Sequence, residues 1–573
     1  MPARNDKIQD ERRQPKDGGR LRIGLLSFPV RQIHPSAWLL VILSSLLQVL
    51  IFPLPGLYVL SWVAFAPLIV ALLRARPAGA LEIDGSVNLR AARPVQAFLL
   101  AYVSGIFWYA GTCYWIYNTM HEHGGLSAPV ALLALFLFCL YLGLYHGFFG
   151  LLLSLAVGPG RDNRRALAAT PFLWVAVELA RTRITGFPWD LLGTAQVDNI
   201  SLSRITTWTG VYGVSFEIML VNVAVAAAFL VPRKKRNMLL VAAVVAGAVL
   251  QAGRLVDAPP LPTDHNALLV QENIPVDATW TRDAFERTLR EVADLSVKAQ
   301  SSGSSSSRAG SAANDDLIVW PESPAPFFAS DPLFRDPVSE MARETHSWVV
   351  TGAIGSMPAA RSGTSVSASQ VFNSAALVSP AGNWTARYDK VHLVPFGEYL
   401  PFPRLFAFAG GLTKEVGEFQ AGTSRAPLDA GNQRLGVFIC YESVFPDEVR
   451  QFAAQGAQVF VNLSNDGWYG DSGAYAQHLN QTRMRAIENN RWILSATNTG
   501  VTASIDPYGR PVARLPRKER GAMVAPYALT SVTTFYTRHG DWFAWLCAII
   551  SAGALLTRFG LRMKPGKKAE TSS

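Results

Sequence analysis

Of the four cysteines in the chain, Cys113, Cys139 and Cys547 fall within long apolar runs, where a thiol acts as a small apolar group. Cys440 alone stands in the long polar stretch 255–540. It closes the strand-like run GVFIC at 436–440 and is followed by Tyr441, Glu442 and Ser443. A thiol at a strand's end faces a site instead of a core; as a thiolate it is a nucleophile, and the amides beside it can hold an oxyanion. By itself, Cys440 reads equally well as a buried structural cysteine. A second strand-like run, LIVWPE at 317–322, ends at Pro321, which stops the ladder and leaves the Glu322 carboxylate just past the sheet edge. Between the two, Lys390 opens KVHLVPFGEY at 390–399. A lone glutamate or lysine in such a place is usually a solvated charge, so none of the three residues is decisive singly.

The elements around them read as a layered α/β fold. Strand-like runs lie at 267–271, 317–320, 348–353, 372–378, 435–440, 459–463 and 493–497, and helix-like stretches near 280–299, 333–345, 445–455 and 475–489. The low-complexity segment SSGSSSSRAGSAA at 301–313 predicts a flexible surface insertion.

Outside this stretch the chain is of another kind. With 573 residues, 50% of them hydrophobic and only 16% charged, it is neither a disordered chain nor a disulfide scaffold. Its formal charge of +10 is unevenly placed: residues 255–540 hold 24 Lys+Arg against 28 Asp+Glu, and the remainder holds 28 against 14. The basic excess sits among apolar runs, which points to a membrane protein and away from nucleic acid. Eight runs of roughly spanning length lie near 36–53, 55–73, 95–119, 128–157, 166–183, 207–231, 238–253 and 541–558. The basic clusters fall in 1–35, 74–94, 158–165, 232–237 and 559–573, whereas the alternate short segments carry only Arg181, Arg183, Arg204 and Arg254. The expected organisation is therefore a cytoplasmic basic tail (1–35), a seven-helix membrane domain (36–254), an extracytoplasmic domain (255–540), a final transmembrane helix (541–558) and a cytoplasmic tail (559–573).

Taken together, Glu322, Lys390 and Cys440 match the Glu-Lys-Cys set of the nitrilase, or carbon–nitrogen hydrolase, superfamily. The strings around them resemble its membrane-bound branch, the apolipoprotein N-acyltransferases: VQENIP at 270–275, VWPE at 319–322, KVHLVPFGE at 390–398, CYE at 440–442, NDGWYG at 465–470 and TGFPW at 185–189. The resemblance implies a helical membrane domain of about eight spans joined to an αββα sandwich. It implies transfer of a phospholipid acyl chain, through a Cys440 thioester, to the N-terminal diacylglyceryl-cysteine of an apolipoprotein. In that scheme Glu322 is the general base and Lys390 steadies the oxyanion with the Tyr441 amide. Glu398 positions Lys390 or assists proton transfer, and Tyr441 and Glu442 shape the nucleophile's pocket. The expected setting is the bacterial cytoplasmic (inner) membrane, with the catalytic domain on its outer side, as a monomer and without cofactor or metal; two imidazoles, His121 and His123, are too few for a metal site.

Less specific expectations follow. The apolar loop PFPRLFAFAGGL at 401–412, with Phe406, Phe408, Gly410 and Gly411, is expected to dip into the lipid and gate acyl chains. Trp280 and Trp468 are candidates for the acyl pocket or else core or interfacial residues, and Arg181 and Arg183 either meet lipid phosphate or only snorkel. The same triad would also serve a membrane-tethered amidase acting on small amides. A transporter or receptor with a non-catalytic outer domain is a third reading, and it would require paired charges within the bundle, where Glu178 and Glu217 are the acidic candidates.

Overall fold

The computed structural model describes residues 32–560 apart from 82–86, 158–162, 232, 308–315, 323–325, 358–360, 363–364, 367–369 and 402–418. The expected basic tails lie almost wholly outside the described residues, and so do Phe406, Phe408, Gly410 and Gly411 of the apolar loop.

Residues up to 252 form helices α1 (Pro35–Ile51), α2 (Ala66–Leu73), α3 (Pro94–Thr112), α4 (Ala128–Ala156), α5 (Arg164–Ala180), α6 (Val211–Leu230) and α7 (Arg233–Ala252). Proline in the first turn opens α1 to α4, where its missing N–H costs nothing. The sequence predicts eight spans. Among the described residues, Pro94–Thr112, Ala128–Ala156, Val211–Leu230 and Lys235–Leu255 are the four helices long and apolar enough to cross a membrane; Pro35–Ile51, Tyr58–Leu73 and Trp542–Leu556 are shorter apolar helices. Their outer faces expose Leu132, Leu133, Phe136 and Leu137 on α4 and Val241, Val244, Val245 and Val249 on α7. An apolar surface of that extent suits hydrocarbon, not water.

Helices α3 and α4 approach closely because small residues line their seam. A Cβ on Gly150 would collide with the Ala97 carbonyl, and one on Gly147 would stand 2.7 Å from the Phe98 ring. Without a hydrophobic force between helices in lipid, such close packing is what holds them together.

The second domain contains two six-stranded sheets. The first has strands β1 (His265–Gln271), β2 (Leu317–Val319), β3 (Trp348–Met357), β4 (Gln370–Val378) and β5 (Trp384–Asp389). The second has β6 (Leu428–Ala430), β7 (Gln433–Ile439), β8 (Val459–Ser464), β9 (Ile493–Thr497), β10 (Ala503–Ile505) and β11 (Pro511–Arg514), in that spatial order. Strand β12 (Gly521–Tyr527) returns to pair antiparallel with β1, completing the first sheet as β12-β1-β2-β3-β4-β5. Helices α8 (Arg282–Ser307) and α9 (Pro332–Thr345) cover the first sheet, and α10 (Pro446–Ala454) and α11 (Ala474–Asn489) cover the second. A last helix, α12 (Trp542–Gly560), rejoins the membrane part against α5.

Strand alternation builds the layers. Ala267 and Leu269 of β1 point between the sheets toward Val437, Val461 and Leu463, while Leu268 and Val270 point outward to Phe285, Leu289 and Phe334. The result is the expected αββα sandwich. One expectation is corrected: the Ser-rich segment begins as helix, because α8 runs on to Ser307, with Ser301 and Ser302 hydroxyls donating to carbonyls of the preceding turn.

Replacing Gly150 by valine is expected to cost roughly 1–3 kcal/mol through overpacking of the α3–α4 seam. The measurement is a thermal melt of the purified protein in detergent. Gly553→Val, where a Cβ meets nothing, is the matched control and leaves the melt unchanged.

Candidate active site

Strand direction brings the candidate residues to one edge. Strands β1, β2 and β3 are mutually parallel, as are β7, β8 and β9. Strand β5 is antiparallel to β4, which is antiparallel to β3, so β5 ends on the same side as β3. Glu322 follows β2, Lys390 follows β5, Asn465 follows β8 and Cys440 follows β7. All four therefore collect at the carboxyl ends of the strands, where α/β sheets place their sites.

There the charges interlock. Lys390 is 1% exposed; its Nζ donates to Glu398 Oε1 at 2.9 Å and lies 3.6 Å from Glu322 Oε1. Asn373, on β4, donates through Nδ2 to both carboxylates, at 2.8 Å to Glu322 Oε1 and 2.5 Å to Glu398 Oε1. The remaining oxygens accept backbone amides, Glu322 Oε2 from Asn465 and Glu398 Oε2 from Val394. Burial lowers the pKa of Lys390, but Glu398 and then Glu322 more than offset it and raise the pKa, so it stays an ammonium. Cys440 behaves oppositely. Burial, then Glu322, push its thiol well above the usual range, against the pull of Lys390 and a bond with Ser464. The thiol keeps its proton at neutral pH and requires a base to attack anything.

Cys440 has φ +50°, a left-handed conformation that an L residue adopts at a cost. Glu442 braces the turn that follows. Its two oxygens accept the Ile439, Val391 and His392 amides and the Tyr388 hydroxyl, tying the Cys440 strand to the Lys390 segment. Tyr441 turns toward the membrane domain, donating its hydroxyl to the Gly186 carbonyl at 3.0 Å with its ring near Phe187. The TGFPW segment thus meets the Cys440 turn directly.

The other candidates are dispersed. Trp468 sits on the turn after β8 at the seam of the two domains; its carbonyl accepts the Thr119 hydroxyl at 2.8 Å and its ring meets His123 edge-on. Trp280 instead joins Phe285 and Phe327 on the helix side of the first sheet. Two arginines differ from their expected role at lipid phosphate. Arg181 is buried in the bundle, bound to the Tyr109 hydroxyl and the Trp189 carbonyl, and Arg183 bridges Asp447 and Asp541. Sequence reasoning passed over Asn373, Asp466 and His478. The signal for the first was a polar residue inside the otherwise apolar run Phe372–Val378.

Residues 44–224 match the apolipoprotein N-acyltransferase N-terminal domain, and residues 270–536 match the carbon-nitrogen hydrolase family. The carbon-nitrogen hydrolase from Helicobacter pylori, a solved structure, aligns over 52% of this chain and 95% of its own at 15% identity and a TM-score of 0.34. The apolipoprotein N-acyltransferase of Methylococcus capsulatus is 34% identical, over 80% of this chain and 87% of its own. That of Geobacter metallireducens is 33% identical over 537 residues, 92% of this chain and 96% of its own. With both domains matched in order and a relative aligned almost end to end, the chain belongs to the apolipoprotein N-acyltransferase family.

Proposed function

We propose that this protein moves a fatty acyl chain from a phospholipid, through a thioester on Cys440, to the α-amine of the N-terminal diacylglyceryl-cysteine of an apolipoprotein. The observation that carries this reading is the buried Glu322–Lys390–Glu398 cluster beside Cys440, in a domain joined to apolar helices through Tyr441 and Gly186. A thiol held protonated needs Glu322 as its base. Glu322 takes the Sγ proton as sulfur attacks the ester carbon; the C–O bond then breaks, and the proton leaves with the lysophospholipid oxygen. The acceptor amine next attacks the thioester, its proton passing to Glu322 while the C–S bond breaks and the thiol is restored. Negative charge on the tetrahedral oxygen is met by the Lys390 ammonium, together with the Tyr441 N–H. Glu398 and Asn373 hold Lys390 and Glu322 in register. Both substrates are anchored in lipid, which accounts for a catalytic domain built onto a membrane domain, and closing out water keeps the thioester from hydrolysis.

The basic segments support a cytoplasmic amino terminus, and on this reading the catalytic domain works as a monomer on the outer face of the bacterial inner membrane. Trp468, at the seam of the two domains, borders the path of the acyl chain.

Purified protein mixed with labelled phospholipid is expected to gain one acyl mass on the peptide containing Cys440, and a diacylglyceryl-cysteine peptide is expected to discharge it. Cys440→Ala gains none, and Glu322→Gln slows acylation by about 10²- to 10⁴-fold. Turnover of small amides without lipid, and no acyl adduct, would favour the amidase instead. Asn373→Ala, by loosening both carboxylates, is expected to lower kcat by about 10- to 100-fold with little change in KM for the phospholipid.

A further inference from the structure

Behind the nucleophile turn lies a polar group that the reaction above does not use. His478 of α11 is buried; its Nε2 lies 3.1 Å from the Cys440 carbonyl oxygen and 2.8 Å from Ser443 Oγ, and its Nδ1 lies 3.1 Å from Asp466 Oδ1. Asp466 Oδ1 also accepts the Ser464 hydroxyl at 2.7 Å. Ser443, His478 and Asp466 have the order of a nucleophilic serine relay, yet Ser443 is 0% exposed and meets no substrate. The donors and acceptors indicate another role. A carbonyl oxygen only accepts, and so does a carboxylate, so an imidazole that donates to both carries two N–H groups. An imidazole carrying two N–H groups is a cation.

We propose that His478 is a positioning residue, held as an imidazolium between Asp466 and the Cys440 carbonyl, which fixes the left-handed backbone of the nucleophile and cancels the Asp466 charge beside its thiol. The groups facing the ring come from every element packed on it. Asp466 and Tyr469 belong to the turn after β8, Cys440 and Ser443 to the nucleophile turn, and Glu322 to the end of β2; Trp189 of the membrane domain lies parallel to the ring at 6.1 Å. Burial by itself would discharge the imidazole, but Asp466, the Cys440 carbonyl and Glu322 outweigh it and raise the pKa. Asp466 alone acts the other way on Cys440, pushing its thiol up. Removing one member of a buried pair leaves the other charge uncompensated, whereas removing both does not.

The inference rests on Cys440 being the nucleophile, but its test needs neither acyl donor nor acceptor, so it fails or stands apart from the acyltransferase reading. The full-length protein is alkylated with iodoacetamide from acid to alkaline pH, and the Cys440 peptide is followed by mass spectrometry. His478→Gln is expected to move the alkylation midpoint up by about one pH unit. The double variant His478→Gln with Asp466→Asn is expected to return to within about 0.3 unit of the parent, a coupling that loss of packing alone does not produce. A midpoint unmoved by His478→Gln, or a double variant as displaced as the single, overturns the proposal. Should His478→Gln fail to accumulate, Asp466→Asn decides alone: a midpoint at or below the parent's supports the cancelled charge, and a rise overturns it.

Discussion

An ammonium ion taken out of water is the constraint around which the catalytic domain is organised. Moving Lys390 into a site where it is 1% exposed costs several kcal/mol in lost hydration, and only close, well-aimed anions offset that. Glu398 and Glu322 supply them, but two buried carboxylates bring their own cost, which Asn373 and the Val394 and Asn465 amides offset. Lys390, Val394 and Glu398 come from the segment after β5, Asn373 from β4, Glu322 from the end of β2 and Asn465 from the end of β8, so the charge cluster is complete only when both sheets are assembled in register. Catalytic geometry and folding are thereby made one problem.

The same interdependence crosses the boundary between the domains. Helix α11 would be a half-exposed cover in a free-standing sandwich, yet here twelve of its 16 residues are buried and none is fully exposed. Gln477 accepts the Trp189 indole N–H and donates to the Pro53 and Thr112 carbonyls, and Glu488 accepts the Val211 amide. These are polar contacts with specific geometry, which hold an orientation where apolar packing alone would allow sliding. Tyr441 and Arg183 add two more fastenings near the Cys440 turn and the last helix.

How much of this could be read from the residues depends on how local each interaction is. The layers were legible because strand alternation is a short-range pattern: Ala267 and Leu269 face one core, Leu268 and Val270 another. Glu322, Lys390 and Cys440 were legible through the strings around them. Asn373 was not, since its partners lie 51 and 25 residues away. His478 sits in a helix whose pattern looked like an ordinary amphipathic cover, because the surface that buries its other face belongs to the membrane domain. The arginines at 181 and 183 were placed at the lipid boundary by counting charges, a method blind to buried partners. Span counting has a similar limit, as α2 and the short 58–62 turn form one apolar passage that is broken in two.

The left-handed backbone at Cys440 sets stability and chemistry against each other at a single position. Glycine would adopt φ +50° without the penalty of roughly 1–2 kcal/mol that a side chain brings, and would fold there more readily than any other residue. It would also have no sulfur. Under the proposed mechanism, the substitution that would relieve the backbone is also the one that would remove the attacking sulfur, so a search for stability and a search for activity part ways at this residue.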